Sequence, residues 1–311
     1  MSASAAVGTG ESYLLGRIRA HELVSRAPTD SPDKRYDDCG EPFLALDALI
    51  ALGDRITAVD RQTLAARLLR CRCNGAWDYT GRRGVDVDTT ASAIRALDRL
   101  GRQVPLSGLG QFLNPRTGLF TTFARPADTL GLQFPPQTPQ KHLGSHPCVL
   151  ANVFLLLRER GRLTNINHEL LRRLQKPDGS WSSYFYPSPF YSTRLYTELL
   201  TSLSEEYDRY MRLTLGGLLA CTPADSPTHH AEILIALERL RSRIPADHQA
   251  IAARAANLVE QILARQLEDG SWPGEVIWEF ADRIDPSVVV GFDHFRVRST
   301  ALCVRALKMW V

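Results

Sequence analysis

Two carboxylic acids stand two residues apart in the stretch Val85-Asp86-Val87-Asp88-Thr89-Thr90, just before the alanine-rich run from Ala91 to Leu97. The pattern has two chemical readings. Asp88 followed by Thr-Thr-Ala and an apolar run is a common helix start, in which the carboxylate accepts hydrogen bonds from the first turn's backbone N–H groups. A carboxyl enclosed in an apolar pocket instead stays protonated near neutral pH, because burial penalises the anion, and can then act as a general acid. The two readings are compatible if the helix begins at the edge of a pocket.

The elements that position these residues come from a repeat. The segments 171–181 (LRRLQKPDGSW) and 263–272 (LARQLEDGSW) are near copies, each an amphipathic helix ending in Asp-Gly-Ser-Trp. Segment 68–79 is a weaker copy and segment 109–120 a degenerate one. In each, the glycine is expected to supply the left-handed residue that stops the helix, with the aromatic folding back over its end. Alternating with them are six stretches apolar over most of their girth: 41–53, 88–101, 146–161, 190–203, 228–240 and 298–310. Helices of that kind are buried on several sides. Six of them, recurring at roughly forty to sixty residues, describe a repeat array that closes on itself. The expected fold is all-α, a single (α/α)6 barrel over residues 1–311, six inner helices within six outer ones.

The Gln175–Trp181 and Gln266–Trp272 copies resemble the QW repeats of squalene-hopene cyclases and related class II terpene cyclases. Repeats of this kind also resemble those of protein prenyltransferase β subunits, so alone they speak to fold more than to activity. Residues 86–91 (DVDTTA) narrow the resemblance, being similar to the D-x-D-T-T form found in bacterial drimane-type sesquiterpene cyclases. The resemblance implies protonation-initiated cyclisation of farnesyl or geranylgeranyl diphosphate with the diphosphate retained. Asp88, the middle aspartate, would be the proton donor, with Asp86 and Thr89 as its hydrogen-bonding partners. The family's barrel carries its site where the inner helices begin.

That geometry selects further candidates. His146 opens the inner helix after the one carrying Asp88, from where it could reorient or reprotonate the acid, although a plain helix-start histidine before Pro147 fits equally. Tyr186, Phe190 and Tyr191 flank an inner-helix start and are the expected aromatic cavity wall for a carbocation. Arg194, Arg296 and Arg298 are candidate diphosphate contacts, because guanidinium forks pair bidentately with phosphate oxygens. Asp37, Asp38 and Glu41 have the D-D-x-x-E spacing of a magnesium motif, a weak match with no second metal motif beside it. Magnesium is expected only as a partner of the diphosphate, and no organic cofactor is implied.

Composition bounds the rest. A chain of 311 residues, 44% hydrophobic and 23% charged, belongs to an ordered globular protein, and a net charge of +3 gives no footprint for nucleic acid. No run approaches about 20 apolar residues and the start lacks a leader pattern, so the expectation is a cytoplasmic protein without a transmembrane segment. The scattered cysteines read as buried thiols, and the ligand grouping of a zinc-dependent prenyltransferase is missing. The larger class II enzymes form their cavity between two barrels; here a homodimer, a partner chain or the proline-rich segment 125–147 would close it. The rival reading is a non-catalytic barrel that binds an isoprenoid or a protein partner.

Overall fold

A computed structural model describes residues 2–25, 41–78, 85–123, 144–280 and 289–310. Peripheral helices α1 (Ala3–Arg19), α3 (Ala58–Arg70), α6 (His168–Leu174), α8 (Asp208–Ala220) and α10 (His248–Leu263) alternate with apolar ones. The latter are α2 (Pro42–Leu52), α4 (Val87–Arg99), α5 (Pro147–Glu159), α7 (Pro189–Thr201), α9 (Pro227–Arg243) and α11 (Val297–Trp310). They form a ring: α2 packs on α4, α4 on α5, α5 on α7, α7 on α9, α9 on α11, and α11 returns to α2. The closing contact makes an (α/α)6 barrel. Four of the six begin with proline (Pro42, Pro147, Pro189, Pro227), whose fixed φ suits the first helical position.

Outside the ring, α1 lies against α11 and α2, α8 against α7 and α9, and α10 against α9 and α11. The position between α4 and α5 departs from the expected pattern. The degenerate copy at 109–120 forms no α-helix; a 3-10 turn (Leu106–Phe112) packs on α4, and Leu113 bridges Phe120.

The repeat copies are more than helix ends. Trp77, Trp181 and Trp272 are buried, and their backbone N–H groups donate to the hydroxyls of Thr90, Thr193 and Thr300 on the next inner helices. The indole N–H of Trp77 and that of Trp272 donate back to the preceding outer helices, at Leu68 and Ile262, both at 2.7 Å. The Trp77 and Trp272 copies thus clamp an outer helix to the inner helix that follows, whereas the Trp181 indole donates to the Thr214 hydroxyl of α8, the next outer helix, at 3.0 Å. The glycine of the Trp181 copy serves this packing on α8 rather than stopping a helix. Gly179 lies five residues past the end of α6, at φ 84°, and a Cβ there would come within 2.1 Å of the Leu213 carbonyl oxygen on α8. Only glycine meets both constraints.

The described strands are short. β1 (Arg72–Cys73), β2 (Ala76–Asp78) and β3 (Val85–Asp86) form a small antiparallel sheet that delivers the chain to α4. The turn between β1 and β2 is Asn74-Gly75, both at positive φ, as a two-residue hairpin favours. β4 (Val276–Phe280) and β5 (Val289–Phe292) pair as a hairpin just before α11. The cysteine expectation holds for Cys148 and Cys303, which are free and buried; Cys73 is exposed and Cys71 is disulfide-bonded. Among the described residues no helix is long and apolar enough to cross a membrane.

Candidate active site

The helix cap and the buried carboxyl are two different aspartates. Asp86, at the end of β3, is the N-cap of α4: its Oδ1 accepts from the Thr89 backbone N–H at 2.7 Å. Asp88 lies one residue inside the helix and sends its carboxyl inward, where it is 9% exposed. Its described partners are not the expected Asp86 and Thr89. Oδ1 accepts from Asn152 Nδ2 on α5 at 2.9 Å, and Oδ2 lies 2.5 Å from the Tyr186 hydroxyl. Burial raises the Asp88 pKa to about 6, against the hydrogen bonds from Tyr186 and Asn152 and the charge of Arg95, which pull it down.

Asp88 opens on a small cavity of about 50 Å³ bordered by described residues, below the usual size of a ligand pocket. Asp86, Asp88, Thr89 and Thr122 supply its polar side. Its walls are Phe43, Phe123, Phe185, Tyr186 and Trp278. Trp278 comes from the β4–β5 hairpin, which is joined to the loop ahead of α7 by the Glu279 N–H donating to the Phe185 carbonyl at 2.8 Å. Opposite the indole is Gly291 of β5, where a Cβ would sit 2.2 Å from Trp278 Cε2. The hairpin therefore brings an aromatic face over the acid, and only a residue without a side chain lets the ring lie there.

The other sequence candidates are placed differently. His146 is buried at the start of α5, its Nδ1 2.6 Å from the Thr122 hydroxyl and its ring stacked on Tyr184 at 4.1 Å. Its described contacts thus run to the cavity's Thr122 and to aromatic rings, not to Asp88. Of the three aromatics assigned to the wall, Tyr186 lines the cavity. Tyr191 stacks behind it at 3.6 Å, and Phe190 turns its edge to His229. Neither borders the cavity.

The arginines require the larger correction. Arg194 and Arg298 are buried beside the tyrosine pair, 5.7 and 5.1 Å from the Tyr191 ring, with Arg298 also 5.9 Å from the Tyr186 ring. Arg298 pairs with Glu232 at 2.7 Å, and Arg194 with Glu198 at 3.0 Å; Arg305 takes the other oxygen of Glu198 at 2.7 Å. Asp47 of α2 completes the group, 3.8 Å from Arg298. Burial raises the Asp47 pKa against these guanidinium charges, whereas Arg305 and Arg194 overcome burial at Glu198 and hold it well below the carboxylate range. These guanidiniums pair with buried carboxylates, and none of them is among the described residues that line the cavity. Arg296 points away, bonded to Asp269 at 2.7 Å and lying over Tyr13 of α1.

The D-D-x-x-E match gains no support. Asp37 and Asp38 lie outside the described residues, as does most of the segment 125–147 read as a lid. Glu41 gives its carboxylate to the Ser25 N–H at 3.0 Å and hydroxyl at 2.5 Å, and burial raises its pKa to about 7. Among the described residues no group of three or more His, Cys, Asp or Glu side chains could hold a metal ion.

Asn152 and Arg95 belong to the site without having been singled out for it, although a signal existed for both. Asn152 interrupts the apolar run from Cys148 to Leu157, and Arg95 sits within Ala-Ser-Ala-Ile-Arg-Ala-Leu; a polar residue inside a buried helix must find a partner.

A scan against models of known protein families gives no match, and neither does a search of curated proteins. Solved structures do match. The type II terpene cyclase MstE from Scytonema, in complex with geranylgeranyl dihydroxybenzoate as substrate, is similar with a TM-score of 0.78 and 19% identity, over 99% of this chain and 97% of that one. The ent-copalyl diphosphate synthase from Streptomyces platensis gives 0.61 and 21% identity over 87% of this chain and 50% of that one. An unsaturated glucuronyl hydrolase specific for heparin gives 0.58 and 12% identity, over 99% and 96% of the two chains. At these identities the likeness establishes the fold. This chain has the barrel of the type II terpene cyclases, a barrel that also serves a glycoside-cleaving enzyme.

Proposed function

We propose that the protein is a class II terpene cyclase in which Asp88 protonates an alkene of a linear prenyl chain. The observation that carries the reading is the buried Asp88 carboxyl, held near neutral pKa, at the wall of an aromatic cavity. A hydrolase of the glucuronyl type would need its acid beside a polar sugar site; here Phe43, Phe123, Phe185, Tyr186 and Trp278 surround it instead. In the reaction the acid's O–H bond breaks and its electron pair stays on the carboxylate. The alkene's π pair forms the new C–H bond and leaves a carbocation, which the remaining alkenes attack in turn to close rings. Loss of a proton from carbon ends the sequence, so product and substrate are isomers. The faces of the surrounding rings stabilise the cation by about 0.5–2 kcal/mol each. Asn152 and Tyr186 are placed to donate to the carboxylate that the transfer leaves behind.

The substrate class follows from the sequence resemblance: farnesyl or geranylgeranyl diphosphate with the diphosphate retained, magnesium travelling with the diphosphate. A second reading of the head group has its own observation. With Arg194 and Arg298 bound to carboxylates and Arg296 turned outward, none of the three arginines assigned to a diphosphate borders the cavity. That favours a prenyl chain carrying a less charged head group, of the kind MstE is named with. The match to nearly the whole MstE chain supports a single barrel as sufficient. The test is incubation with both prenyl diphosphates, with and without a magnesium chelator, and with a geranylgeranylated dihydroxybenzoate. Phosphatase treatment of the diphosphate reactions and mass spectrometry then follow. Cyclic products of unchanged mass from any of them support cyclisation and identify the head group; tight binding without conversion would favour the non-catalytic barrel.

A further inference from the structure

Resting on the reading of Asp88 as proton donor, we propose that Arg95 is a positioning residue: clamped by Glu159, it fixes which end of the Asn152 amide faces the acid and so confines the acid's hydrogen to Oδ2. An asparagine amide has a donor end and an acceptor end of nearly equal shape. The end that meets a carboxylic acid decides which of the acid's oxygens can carry the hydrogen. The choice here is made by a third residue. A guanidinium has donors only, and Arg95 Nη1 lies 2.8 Å from Asn152 Oδ1, so that atom must be the oxygen. Arg95 cannot turn away, because its Nε and Nη2 form a fork to Glu159, each at 2.9 Å.

The nitrogen of Asn152 is thereby aimed at Asp88. It lies 2.9 Å from Oδ1 and 2.8 Å from the Ser92 hydroxyl, and 3.2 Å from the Asp88 carbonyl oxygen. A hydrogen on Oδ1 would face the Asn152 nitrogen, which only donates, whereas one on Oδ2 faces the Tyr186 hydroxyl, which can accept as well as donate. The acid's hydrogen therefore sits on Oδ2, beside the cavity-lining Tyr186. The other titratable side chains acting on Asp88, Tyr186, Tyr191 and Cys148, have pKa values raised by burial and stay neutral, and Arg95 is the cation that acts on it. After transfer Asn152 still donates to Oδ1, and the Tyr186 hydroxyl needs only to turn its hydrogen to donate to Oδ2.

The test is Asn152→Asp, which keeps the shape and the pairing to Arg95 but presents an oxygen to Oδ1, drawing the acid's hydrogen to the wrong side. The expected result is a kcat lower by about 100-fold or more, the class of loss seen when a catalytic group is held in the wrong tautomer, with KM changed less than about twofold. Arg95→Met frees the amide to turn and is expected to lower kcat about tenfold, and Arg95→Lys, which restores a donor, to recover most of it. Arg95→Lys keeps the cation that faces Glu159 and Asn152→Asp places its added carboxylate against Arg95, so the test stands even if Arg95→Met fails to fold. A second readout needs no turnover: the infrared carbonyl stretch of the protonated Asp88, identified by its loss in Asp88→Asn, should move in Asn152→Leu and in Arg95→Met. Wild-type kcat in Asn152→Asp and Arg95→Met beside an inactive Asp88→Asn, or an unmoved carbonyl band, would overturn the proposal. Activity persisting in Asp88→Asn would instead remove the donor reading, leaving the band to decide on Arg95.

Discussion

Replacing Asp88 by asparagine should abolish cyclisation and, at neutral pH, make the protein more stable. Burial lifts the Asp88 pKa from 3.8 to about 6. The unfolded chain therefore ionises this group at lower pH than the folded one does. The sign follows: below about pH 4 both states hold the proton and the group is neutral to folding, while between about pH 4 and 6 stability is progressively lost, and above that the loss is constant. Two pKa units correspond to about 3 kcal/mol, an upper figure for a group that keeps two hydrogen bonds when ionised. Asparagine mimics the protonated acid: its oxygen can accept from Asn152 and its nitrogen can donate to Tyr186, where the acid's O–H would be. Because Asp86 holds the cap, no capping bond is lost. Thermal unfolding of the two proteins should coincide at about pH 3.5 and separate by several degrees at pH 7–8, the variant being higher. Equal stability throughout would mean that the carboxyl is not a buried acid. A less stable variant at neutral pH would return Asp88 to a structural role, and undiminished turnover would remove it from the chemistry.

Removing the Tyr186 hydroxyl, which pulls the Asp88 pKa down, should raise that pKa in Tyr186→Phe; the pH at which kcat falls off moves up while the maximal rate drops, and a pH profile of kcat checks both. Gly291→Ala drives a methyl group into Trp278 and should cost about 1–3 kcal/mol while altering KM or the product pattern, read by denaturation and product analysis. Thr300→Val removes the acceptor for the buried Trp272 N–H and should cost about 1–3 kcal/mol in urea unfolding with the product unchanged. Arg298→Met strands Glu232 without its charge partner and should cost about 3–5 kcal/mol, recovered largely by adding Glu232→Met; a selective rise in KM for a prenyl diphosphate without loss of stability would restore Arg298 as a head-group contact.

The ring of inner helices was legible because it is written in one local property, apolar girth, and each of the six stretches became an inner helix. The clamps were half legible. Trp77, Trp181 and Trp272 stand out in the sequence, but Thr90, Thr193 and Thr300, which receive their backbone N–H groups, are common in helix starts and announce nothing alone. At the site, Asp88 could be singled out by its motif, whereas its partners come from α5 and from the loop before α7, and pairing across the ring leaves no mark on either segment. The arginines were misplaced for a related reason. Helix starts were taken as the rim, yet Arg298 lies in the first turn of α11 and Arg194 in the second turn of α7, deep enough to meet carboxylates of neighbouring helices.

The buried ion cluster also bears on the proposed reading of the cavity. Asp47, Glu198 and Glu232 face Arg194, Arg298 and Arg305 beside Tyr191, three carboxylates against three guanidiniums. Isolated charges there would be prohibitive, and the paired set draws α2, α7, α9 and α11 together. Tyr186 links the cluster to the cavity: its ring stacks on Tyr191 and lies 5.9 Å from the Arg298 guanidinium, while its hydroxyl meets Asp88 Oδ2. On the proposed reading, the level of Tyr186 and Asp88 is where the prenyl chain would lie. Filling that level should therefore discriminate by chain fit rather than by charge: Val149→Phe, in the cavity wall on α5, is expected to raise KM for long prenyl chains more than for short ones, whichever head group they carry. Equal KM changes for farnesyl and geranylgeranyl substrates would show that the chain does not reach this level before it is protonated.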